Sequence, residues 1–321
     1  MRRDILTWSI VAAIVIAAFA GTVLILNASL YSAGGFVRGY LDALERHDAA
    51  GALELAGDTG TAGASDELLT VDGMGELSDI RLVSDTEGAD GVHRVVYSYL
   101  AGGVAGQSAF SVERKGTLLG FFPTWDFVSS PLGVIRLSVL HDSEFTANGV
   151  DLVTPQQGAP ASYLVFAPGS YEIEHDSKYL HADPITVAVT EPSKAVIAEL
   201  DVQANAAFAE KVTEEVTAHL DGCTTQTVLL PTGCPFGQEI SNRIVTTPKW
   251  SMSVYPEVTI VPGPDANSWL MPPTDAAAHL TVDVKSLFDG TISTVDEDVP
   301  FRASYLITFL PTGELLLTSR F

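Results

Sequence analysis

The sequence predicts an α+β chain with an N-terminal transmembrane helix, an α+β domain, a small β-sandwich domain and a second α+β domain of one helix and an antiparallel meander. Three observations predict this. The chain begins with a long apolar run, and twice after it the hydrophobic period changes from that of a helix to that of strands. Between these two segments lie short strands with closely spaced turns, which are typical of a sandwich. The predicted divisions are a cytoplasmic stub 1–4, a transmembrane helix 5–27, and domains 36–130, 131–203 and 204–321.

The apolar run extends over the 22 residues 5–26, and few polar side chains interrupt it. An α-helix of that length is about 33 Å long, enough to cross a hydrocarbon core of roughly 30 Å. We therefore expect residues 5–26 to contact the lipid bilayer. Two arginines precede the run, and the next basic residue is Arg38. Because positive charge is retained on the cytoplasmic side, the N-terminus is expected inside the cell and residues 30–321 outside.

A cleaved signal peptide is the alternative interpretation of this run. Ala18-Phe19-Ala20, followed by Gly21, fits the small-residue pattern of a signal-peptidase site. Cleavage after Ala20 would release a soluble, secreted binding protein. The apolar run continues beyond this point to Leu26, whereas a cleavage site usually ends a short polar region. The pattern favours an uncleaved signal anchor, and both interpretations place most of the chain across the membrane.

Domain 36–130 is predicted from two helices followed by strands. Asp48 and Gly57 are suited to begin and end the second, short helix, and Ala33-Gly34-Gly35 is expected to be a flexible joint before the first. The first helix has an apolar face with three- and four-residue spacing, formed by Phe36, Val37, Tyr40, Leu41 and Leu44. Alternating residues then predict strands, with Lys115-Gly116 between the last two, over 77–84, 92–101, 104–114 and 117–128.

Domains 131–203 and 204–321 are predicted in the same way. Asn148-Gly149, Pro168-Gly169 and Glu191-Pro192 mark turns. The short strands around these turns are 133–140, 161–167, 170–175 and 185–202. After Asn205 a helical stripe returns at four-residue spacing, formed by Phe208, Val212, Val216 and Leu220. Longer strands follow over 250–261, 277–287, 299–310 and, after the turn Pro311-Thr312-Gly313, 314–321.

Charge and composition limit the classes of partner. The chain has a formal net charge of −23, which argues against binding to nucleic acid or to anionic lipid headgroups because both need a basic patch. It would also repel anionic wall polymers unless a local basic patch or divalent cations intervened. The simpler interpretation is that acidity keeps an exported protein soluble. With 46% hydrophobic residues, the composition is that of a folded chain.

The two cysteines, Cys223 and Cys234, are 11 positions apart. Outside the cytoplasm such a pair can oxidise, so we expect a structural disulfide. A catalytic or metal-binding thiol pair is the alternative, but the spacing is much wider than the two-residue gap of redox and zinc motifs.

Two segments and the order of the domains resemble known families. The segment 36–50 resembles the opening helices of NTF2-like (cystatin-like) domains, which implies that fold for 36–130. The order of anchor, NTF2-like unit, β-domain and second α+β unit resembles the ectodomains of membrane proteins associated with teicoplanin susceptibility. The segment 223–237, with Trp250-Ser251-Met252 and Tyr255-Pro256 downstream, is similar to uncharacterised single-pass envelope proteins of high-GC Gram-positive bacteria.

NTF2-like cones can hold acid/base pairs, so an envelope enzyme is one hypothesis. Its candidate residues lie near predicted strands, and an inward His–Asp pair would suit proton transfer. They are Asp79, Asp85, His93, Tyr97, Tyr99 and Asp126, although Asp85 belongs to the turn-rich segment 85–91 and is expected in a turn. Since no nucleophile or phosphate-binding motif accompanies them, we expect no catalytic residues and no cofactor.

The richest candidate for a metal is Glu174-His175-Asp176 with His181 and Asp183, which could converge on zinc across a hairpin. Asp85–Asp90 lacks the ligand spacing of a calcium loop. Solvated polar residues explain both segments more simply, so no metal site is expected. Trp125, Trp250 and Trp269 are expected to anchor cores rather than to form a ligand platform.

The expected function is therefore a non-catalytic, membrane-anchored binding or scaffolding protein of the bacterial cell envelope. Its expected partners are the bilayer and another envelope protein or a wall polymer. We expect the last domain to bind this partner, because its loop 223–234 carries the short apolar run Val228-Leu229-Leu230. That run is either buried under the domain or presented to a partner.

Overall fold

The computed structural model describes residues 2–57, 63–310 and 312–320. Within them the fold is mixed α+β, with four helices and about 46% of the residues in strands. Met1 of the predicted stub, Pro311 of the predicted turn and the terminal Phe321 lie outside the described residues. The helices are α1 (Arg2–Ala28), α2 (Ala33–Glu45), α3 (Ala49–Ala56) and α4 (Ala206–Thr224).

The chain divides into two compact units, which are described separately. The division into three domains stays a prediction, because segment 131–203 contributes residues to both units. The first unit comprises Met1–Val139, Ser143–Glu174 and Pro184–Leu200. The second comprises Leu140–Asp142, His175–Asp183 and Asp201–Phe321.

The first unit begins with α1, of which Thr7–Ala28 is long and apolar enough to cross a membrane. Four antiparallel strands then follow α2 and α3 in the order β1-β2-β3-β4, close to the predicted ranges. They are β1 (Leu77–Glu87), β2 (His93–Ala101), β3 (Val104–Leu118) and β4 (Phe122–Phe127). Helices α2 and α3 and this sheet share one core, which includes Tyr40, Leu41, Leu44, Tyr97, Tyr99 and Phe110.

Two boundaries in this unit were predicted wrongly. Ala33-Gly34-Gly35 is the first turn of α2, capped by the Ser32 hydroxyl, and is no flexible joint. A side chain at Gly35 would collide with the carbonyl oxygen of Ser29, so this glycine permits a close backbone approach. Lys115-Gly116 does not end β3 either: the register shifts there, as in a β-bulge, and the turn lies at Leu119-Gly120.

The following strands form two more sheets. One has the order β12-β10-β9-β6-β7 and the other β11-β5-β8. The Asn148-Gly149 turn joins β6 to β7 with both residues at positive φ, as predicted. The strands are β5 (Leu132–Leu140), β6 (Glu144–Ala147), β7 (Val150–Val153), β8 (Ala161–Phe166), β9 (Gly169–Asp176), β10 (Leu180–Val189), β11 (Ala195–Asp201) and β12 (Gln203–Ala204).

The second unit contains α4 and a six-stranded antiparallel sheet. Its path is β13-β16-β17-β18, and β14 and β15 also pair with β16. The predicted stripe of α4 is buried: Phe208, Val212, Val216 and Leu220. The strands are β13 (Arg243–Ile244), β14 (Lys249–Val254), β15 (Val261–Pro262), β16 (Ser268–Lys285), β17 (Ile292–Phe309) and β18 (Leu315–Ser319).

Two strands of this sheet begin well before their predicted starts. The first, β16, runs through Pro272-Pro273, where its register against β17 shifts. An irregularity of this kind accommodates prolines, which cannot donate to a regular ladder. The second, β17, includes the polar residues 292–298 because they pair with the far end of β16.

Candidate functional site

The closest pair of predicted acid/base residues is Asp85 and His93. Neighbouring strands β1 and β2 place them diagonally, since Glu87 lies opposite His93 and Asp85 opposite Val95. The Asp85 Oδ1 and His93 Nδ1 atoms are 2.7 Å apart, and both side chains are partly buried. Carboxylate and imidazole are therefore in direct hydrogen-bonding contact. The sequence named both residues as candidates but did not predict which of the candidates would meet.

The second oxygen of Asp85 lies at the start of α2. The Gly34 amide donates to Asp85 Oδ2 at 3.2 Å, and a carboxylate there is stabilised by the positive end of the helix. The Tyr97 hydroxyl donates to the Gly34 carbonyl at 2.9 Å. Asp85 and Tyr97 thus fasten the first turn of α2 to the sheet, which gives Asp85 a structural role besides its bond to His93.

Trp125 completes this group, which we call the Asp85 cluster: Asp85, His93, Trp125 and the α2 start at Gly34. The Trp125 indole packs against the His93 ring at 4.9 Å between centroids, with the planes at 79°. Its Nε1 donates to the carbonyl of Tyr31 at 2.9 Å. Tyr31 lies between α1 and α2, so the cluster joins the end of the apolar helix to the folded unit.

The other predicted acid/base residues lie elsewhere in the unit. Asp79 lines a surface cleft of about 480 Å³ together with Arg81 and Tyr99. Asp126 pairs with Lys115 at 2.5 Å in another cleft, of about 430 Å³. The candidates are thus distributed over three places rather than facing one cavity, and only Asp85 and His93 are brought into direct contact.

Large buried side chains fill the space between the helices and the sheet where an NTF2-like cavity would open. The hydroxyl of Tyr40 donates to the Ala167 carbonyl at 3.1 Å, and that of Tyr99 bonds to the Ser108 hydroxyl at 2.7 Å. Burial raises the pKa of Tyr40 well above its usual range and also raises the pKa of Tyr99. Both phenols therefore stay neutral and act as polar members of the core.

Of the candidate zinc ligands, Asp176 and Asp183 lie within 3.6 and 3.4 Å of His181, but His175 is directed elsewhere. His175 is buried on the inner side of β9, whereas His181 is exposed on β10. His175 Nε2 lies 3.6 Å from an Asp142 carboxylate oxygen, and His181 lies 3.4 Å from Asp183. In the described part of the chain no group of three or more His, Cys, Asp or Glu residues is arranged to hold a metal ion. Asp85 lies within β1 and not in a turn; the turn follows Glu87, and in it Asp90 accepts the Val92 amide at 3.2 Å.

The second unit carries the disulfide between Cys223 and Cys234, whose Cα atoms are 5.8 Å apart. The loop that it closes is braced internally, because the Gln226 side chain bonds both the amide and the carbonyl of Thr232 at 2.8 and 3.0 Å. The Trp250 indole Nε1 donates to the Val228 carbonyl at 2.8 Å. The loop is therefore held at several points in addition to the disulfide.

The apolar run in this loop is exposed at two of its three residues. The exposed fraction is 48% for Val228 and 60% for Leu230, while Trp250 beneath is buried against Phe236 with 5.0 Å between ring centroids. Two branched apolar side chains are thus presented to solvent on a braced loop. Gln226 and Trp250 were not among the residues that the sequence predicted for this surface.

Two of the three tryptophans are core residues, as expected. Trp269 is fully buried against Phe208, at 5.8 Å between ring centroids, and Trp250 lies under the disulfide loop. Trp125 is only partly buried and belongs to the Asp85 cluster. The expectation of core anchoring thus holds for the pair in the second unit.

Sequence reasoning missed a titratable group on the β16–β17 hairpin. His279 lies opposite Asp298 in the ladder, and its two ring nitrogens bond Asp298 at 2.9 Å and Asp296 at 2.8 Å. The pKa of His279 is raised by its hydrogen bonds to Asp298 and Asp296. The pKa values of both carboxyls are lowered, chiefly by their bonds to His279. Only the strand register brings these residues together.

This group is expected to make the stability of the second unit depend on pH. Because the folded-state pKa of His279 is raised, its contribution is complete below about pH 6.5 and is lost as pH rises through the raised value. The contribution of the two aspartates is present above about pH 3.9 and is lost as pH falls through their lowered values. The melting temperature should therefore fall more between about pH 6 and pH 9 in the wild type than in His279→Gln.

His181→Gln is the matched control for this measurement, because its ring nitrogens lie 3.4 and 3.6 Å from carboxylate oxygens on the surface of the same unit. At pH 6 its melting temperature should differ from that of the wild type by less than the melting temperature of His279→Gln does, because the contacts of the His279 ring to carboxylate oxygens are shorter. Equal slopes for wild type and His279→Gln would contradict the assignment.

Comparison with known proteins does not add to these observations: no family model, no curated protein and no solved structure is significantly similar to this chain.

Proposed function

We propose that this chain is a membrane-anchored, extracytoplasmic binding or scaffolding protein of the bacterial cell envelope, without catalytic turnover. In this proposal α1 is an uncleaved signal anchor, and the two units lie outside the cytoplasm. The observation that carries the proposal is the direct contact between the apolar helix and the β3–β4 hairpin of the first unit. A scaffold needs such an attachment to hold its folded part at a defined place on the membrane.

The attachment is made by side chains at the C-terminal end of α1 and just beyond it. Asn27 donates to the Phe121 carbonyl at 2.9 Å, and the Tyr31 ring stacks on Phe122 at 4.4 Å. Trp125 holds the Tyr31 carbonyl, as described above. The helix is also continuous through the alternative cleavage point at Ala20 and ends only at Ala28. A helix packed in this way supports an anchor that is retained.

The charge of the flanking segments supports the proposed orientation. Two arginines precede the apolar stretch, and the next basic residue, Arg38, lies beyond it in α2. Short loops rich in Lys and Arg stay in the cytoplasm, which supports a cytoplasmic N-terminus and an extracellular C-terminal part.

The proposed assignment of the individual domains supports the same class of protein, a membrane-anchored envelope protein. Two helices followed by a four-stranded antiparallel meander agree with an NTF2-like first domain, and α4 with its long meander agrees with the second α+β domain. We propose on this basis a distant relationship to teicoplanin-susceptibility-associated membrane proteins and to single-pass envelope proteins of high-GC Gram-positive bacteria. In such a protein the domains serve as spacer and recognition modules.

An envelope enzyme is the second candidate, and the Asp85–His93 contact is the observation that favours it. An imidazole held by a carboxylate is suited to proton transfer. Asp85, however, is already engaged by the Gly34 amide, and the neighbouring interior is packed with tyrosine and phenylalanine rings. The pair is better explained as a fastening of α2 to the sheet.

Recognition is assigned to the disulfide loop 223–234 of the second unit. Loops on a rigid scaffold commonly carry binding residues, and the exposed Val228 and Leu230 are apolar side chains on a braced loop. The unit is otherwise acidic, so an apolar contact with another envelope protein suits this loop better than adhesion to an anionic wall polymer.

The proposal is tested by photocrosslinking in intact cells, with a benzophenone amino acid at Leu230. We expect a discrete adduct that stays with the membrane fraction after alkaline extraction. The matched control is the same probe at Phe288, which is fully exposed at 100% in the same unit and should form no discrete adduct.

Three outcomes would contradict parts of the proposal. The same adducts from both positions, or none from Leu230, would reject recognition by the loop. Protein recovered from the medium with a new N-terminus at Gly21 would reject the anchor and support a secreted binding protein.

A further inference from the structure

The hairpin between β3 and β4 ends in an apolar tip, which we define as residues 118–122 (Leu-Leu-Gly-Phe-Phe). Leu119 is 77% exposed and Phe121 53% exposed. Leu119 and Gly120 both have positive φ, of 52° and 76°. The first of these positions favours Asn, Asp or Gly in soluble hairpins, and a bulky leucine there is strained. The chain therefore places a large apolar side chain at the turn position where soluble proteins most favour a small or polar residue.

This apolar tip lies against α1. The ring of Phe121 meets that of Phe19 edge to face, with 5.8 Å between centroids. The Phe121 carbonyl accepts a hydrogen bond from the Asn27 side chain at 2.9 Å, and Phe122 stacks on Tyr31. The hairpin thus runs along one side of the helix near its C-terminal end.

The depth of the contact follows from helix geometry. Phe19 precedes Asn27 by eight residues, which is about 12 Å along the helix axis. Phe19 lies inside the stretch Thr7–Ala28 that is apolar enough to cross a membrane. A ring in contact with Phe19 therefore lies below the level at which α1 leaves the hydrocarbon.

Along the hairpin, away from the tip, the side chains change from apolar to uncharged polar and then to charged, which is the order across a bilayer interface. Beyond the apolar tip come Thr117 and Thr124, and then Arg114 and the Lys115–Asp126 ion pair. If the apolar tip lies in the hydrocarbon, these charged side chains, farther along the hairpin, lie at the level of the lipid headgroups. Tyr31 and Trp125, which are joined by a hydrogen bond, are the aromatic types enriched at that level.

The backbone polar groups of Phe121, within the tip, are both paired without water. Unpaired amide and carbonyl groups are costly in hydrocarbon. The Phe121 amide donates to the Leu118 carbonyl at 3.2 Å, and the Phe121 carbonyl is paired with Asn27. A side chain of the helix thus satisfies a carbonyl that the hairpin turn leaves open.

We propose that the apolar tip, residues 118–122, inserts between lipid chains in the bilayer leaflet that α1 leaves at its C-terminal end. This inference rests on the proposed membrane anchor and extends it. With α1 and the hairpin both in the membrane, the first unit has two attachment points and cannot rotate freely about a single helix.

The test uses the full chain reconstituted in phosphatidylcholine–phosphatidylglycerol vesicles, with an NBD fluorophore on a cysteine introduced at position 119. Both native cysteines are joined in the disulfide, so the introduced thiol is labelled selectively. Val104→Cys is the matched control, because Val104 is 66% exposed at the far end of β3, the strand that Leu119 directly follows. We expect nitroxide lipids to quench the probe of Leu119→Cys at least several-fold more than that of Val104→Cys, and aqueous iodide to show the reverse order.

Flotation of the vesicles distinguishes failure of the membrane anchor from failure of the tip insertion. Protein that fails to float would reject the anchor and with it the insertion. Protein that floats while both probes are equally open to iodide would reject the insertion alone.

A second variant tests the insertion with a substitution that is not expected to destabilise the fold. Leu119→Asn suits the positive φ, so the melting temperature should be unchanged or higher. If the tip inserts, this substitution should also reduce lipid quenching of an NBD probe carried by Leu118→Cys. Unchanged quenching at that probe would overturn the proposal.

Discussion

Replacing Phe208 with alanine is expected to lower the free energy of unfolding of the second unit by about 3–5 kcal/mol. Phe208 has no exposed surface, and its ring lies between those of Tyr179, Trp269 and Phe309 at centroid distances of 5.6, 5.8 and 5.2 Å. Removing it deletes the buried apolar surface and leaves a cavity that the surrounding rings cannot fill without moving. Urea denaturation followed by tryptophan fluorescence should report the loss, because Trp269 contacts the deleted ring.

Phe288→Ala is the matched control for this prediction. The same side chain is removed from the same unit, but Phe288 is completely exposed, so its urea midpoint should stay close to that of the wild type. Similar midpoints for Phe208→Ala and Phe288→Ala would contradict the placement of Phe208 in the core.

Replacing both cysteines with alanine is expected to lower the stability of the second unit by about 2.5–3 kcal/mol. The disulfide closes a loop of about 12 residues, and the expected size follows from the loop-closure entropy of the unfolded chain. Reducing the wild-type protein should lower its urea midpoint by a similar amount, since it removes the same covalent constraint.

Thiol titration provides the independent control for the disulfide. The purified wild-type protein, unfolded without reductant, should show no free thiol, and the alanine variant should then be insensitive to reductant. Two titratable thiols in freshly exported protein would contradict the disulfide. A midpoint in the double variant equal to that of the wild type would show that the hydrogen bonds of Gln226 and Trp250 hold the loop by themselves.

Short-range patterns predicted most of the elements correctly. The stripe on α4, the Asp48 cap of α3, the Asn148-Gly149 turn and the four strands of the first sheet can all be read from neighbouring residues. Each depends on side-chain periodicity or on the preference of one residue type for one backbone conformation, and both are local properties.

The errors arose where a local signal had a distant cause. The glycines before Phe36 were interpreted as a flexible joint, but they permit α2 to begin against Ser29 and the Asp85 carboxylate. The predicted strands began after the proline pair of β16 and after the polar start of β17, yet pairing over the long hairpin includes both. Sequence alone does not show which backbone will approach a glycine or which strand will pair with a polar segment.

For the candidate sites, residue types and spacing were enough to identify the apolar helix and the cysteine pair. They also named Asp85 and His93 as candidate acid/base residues. Only the tertiary structure decided that Asp79, Asp85 and Asp126 lie apart, that His279 lies between two aspartates, and that Leu230 is exposed. It also decided that the apolar tip of the β3–β4 hairpin lies along α1. The physical reason is that hydrophobic period and turn preference act over a few residues, whereas strand register and packing bring together groups that are far apart in the chain.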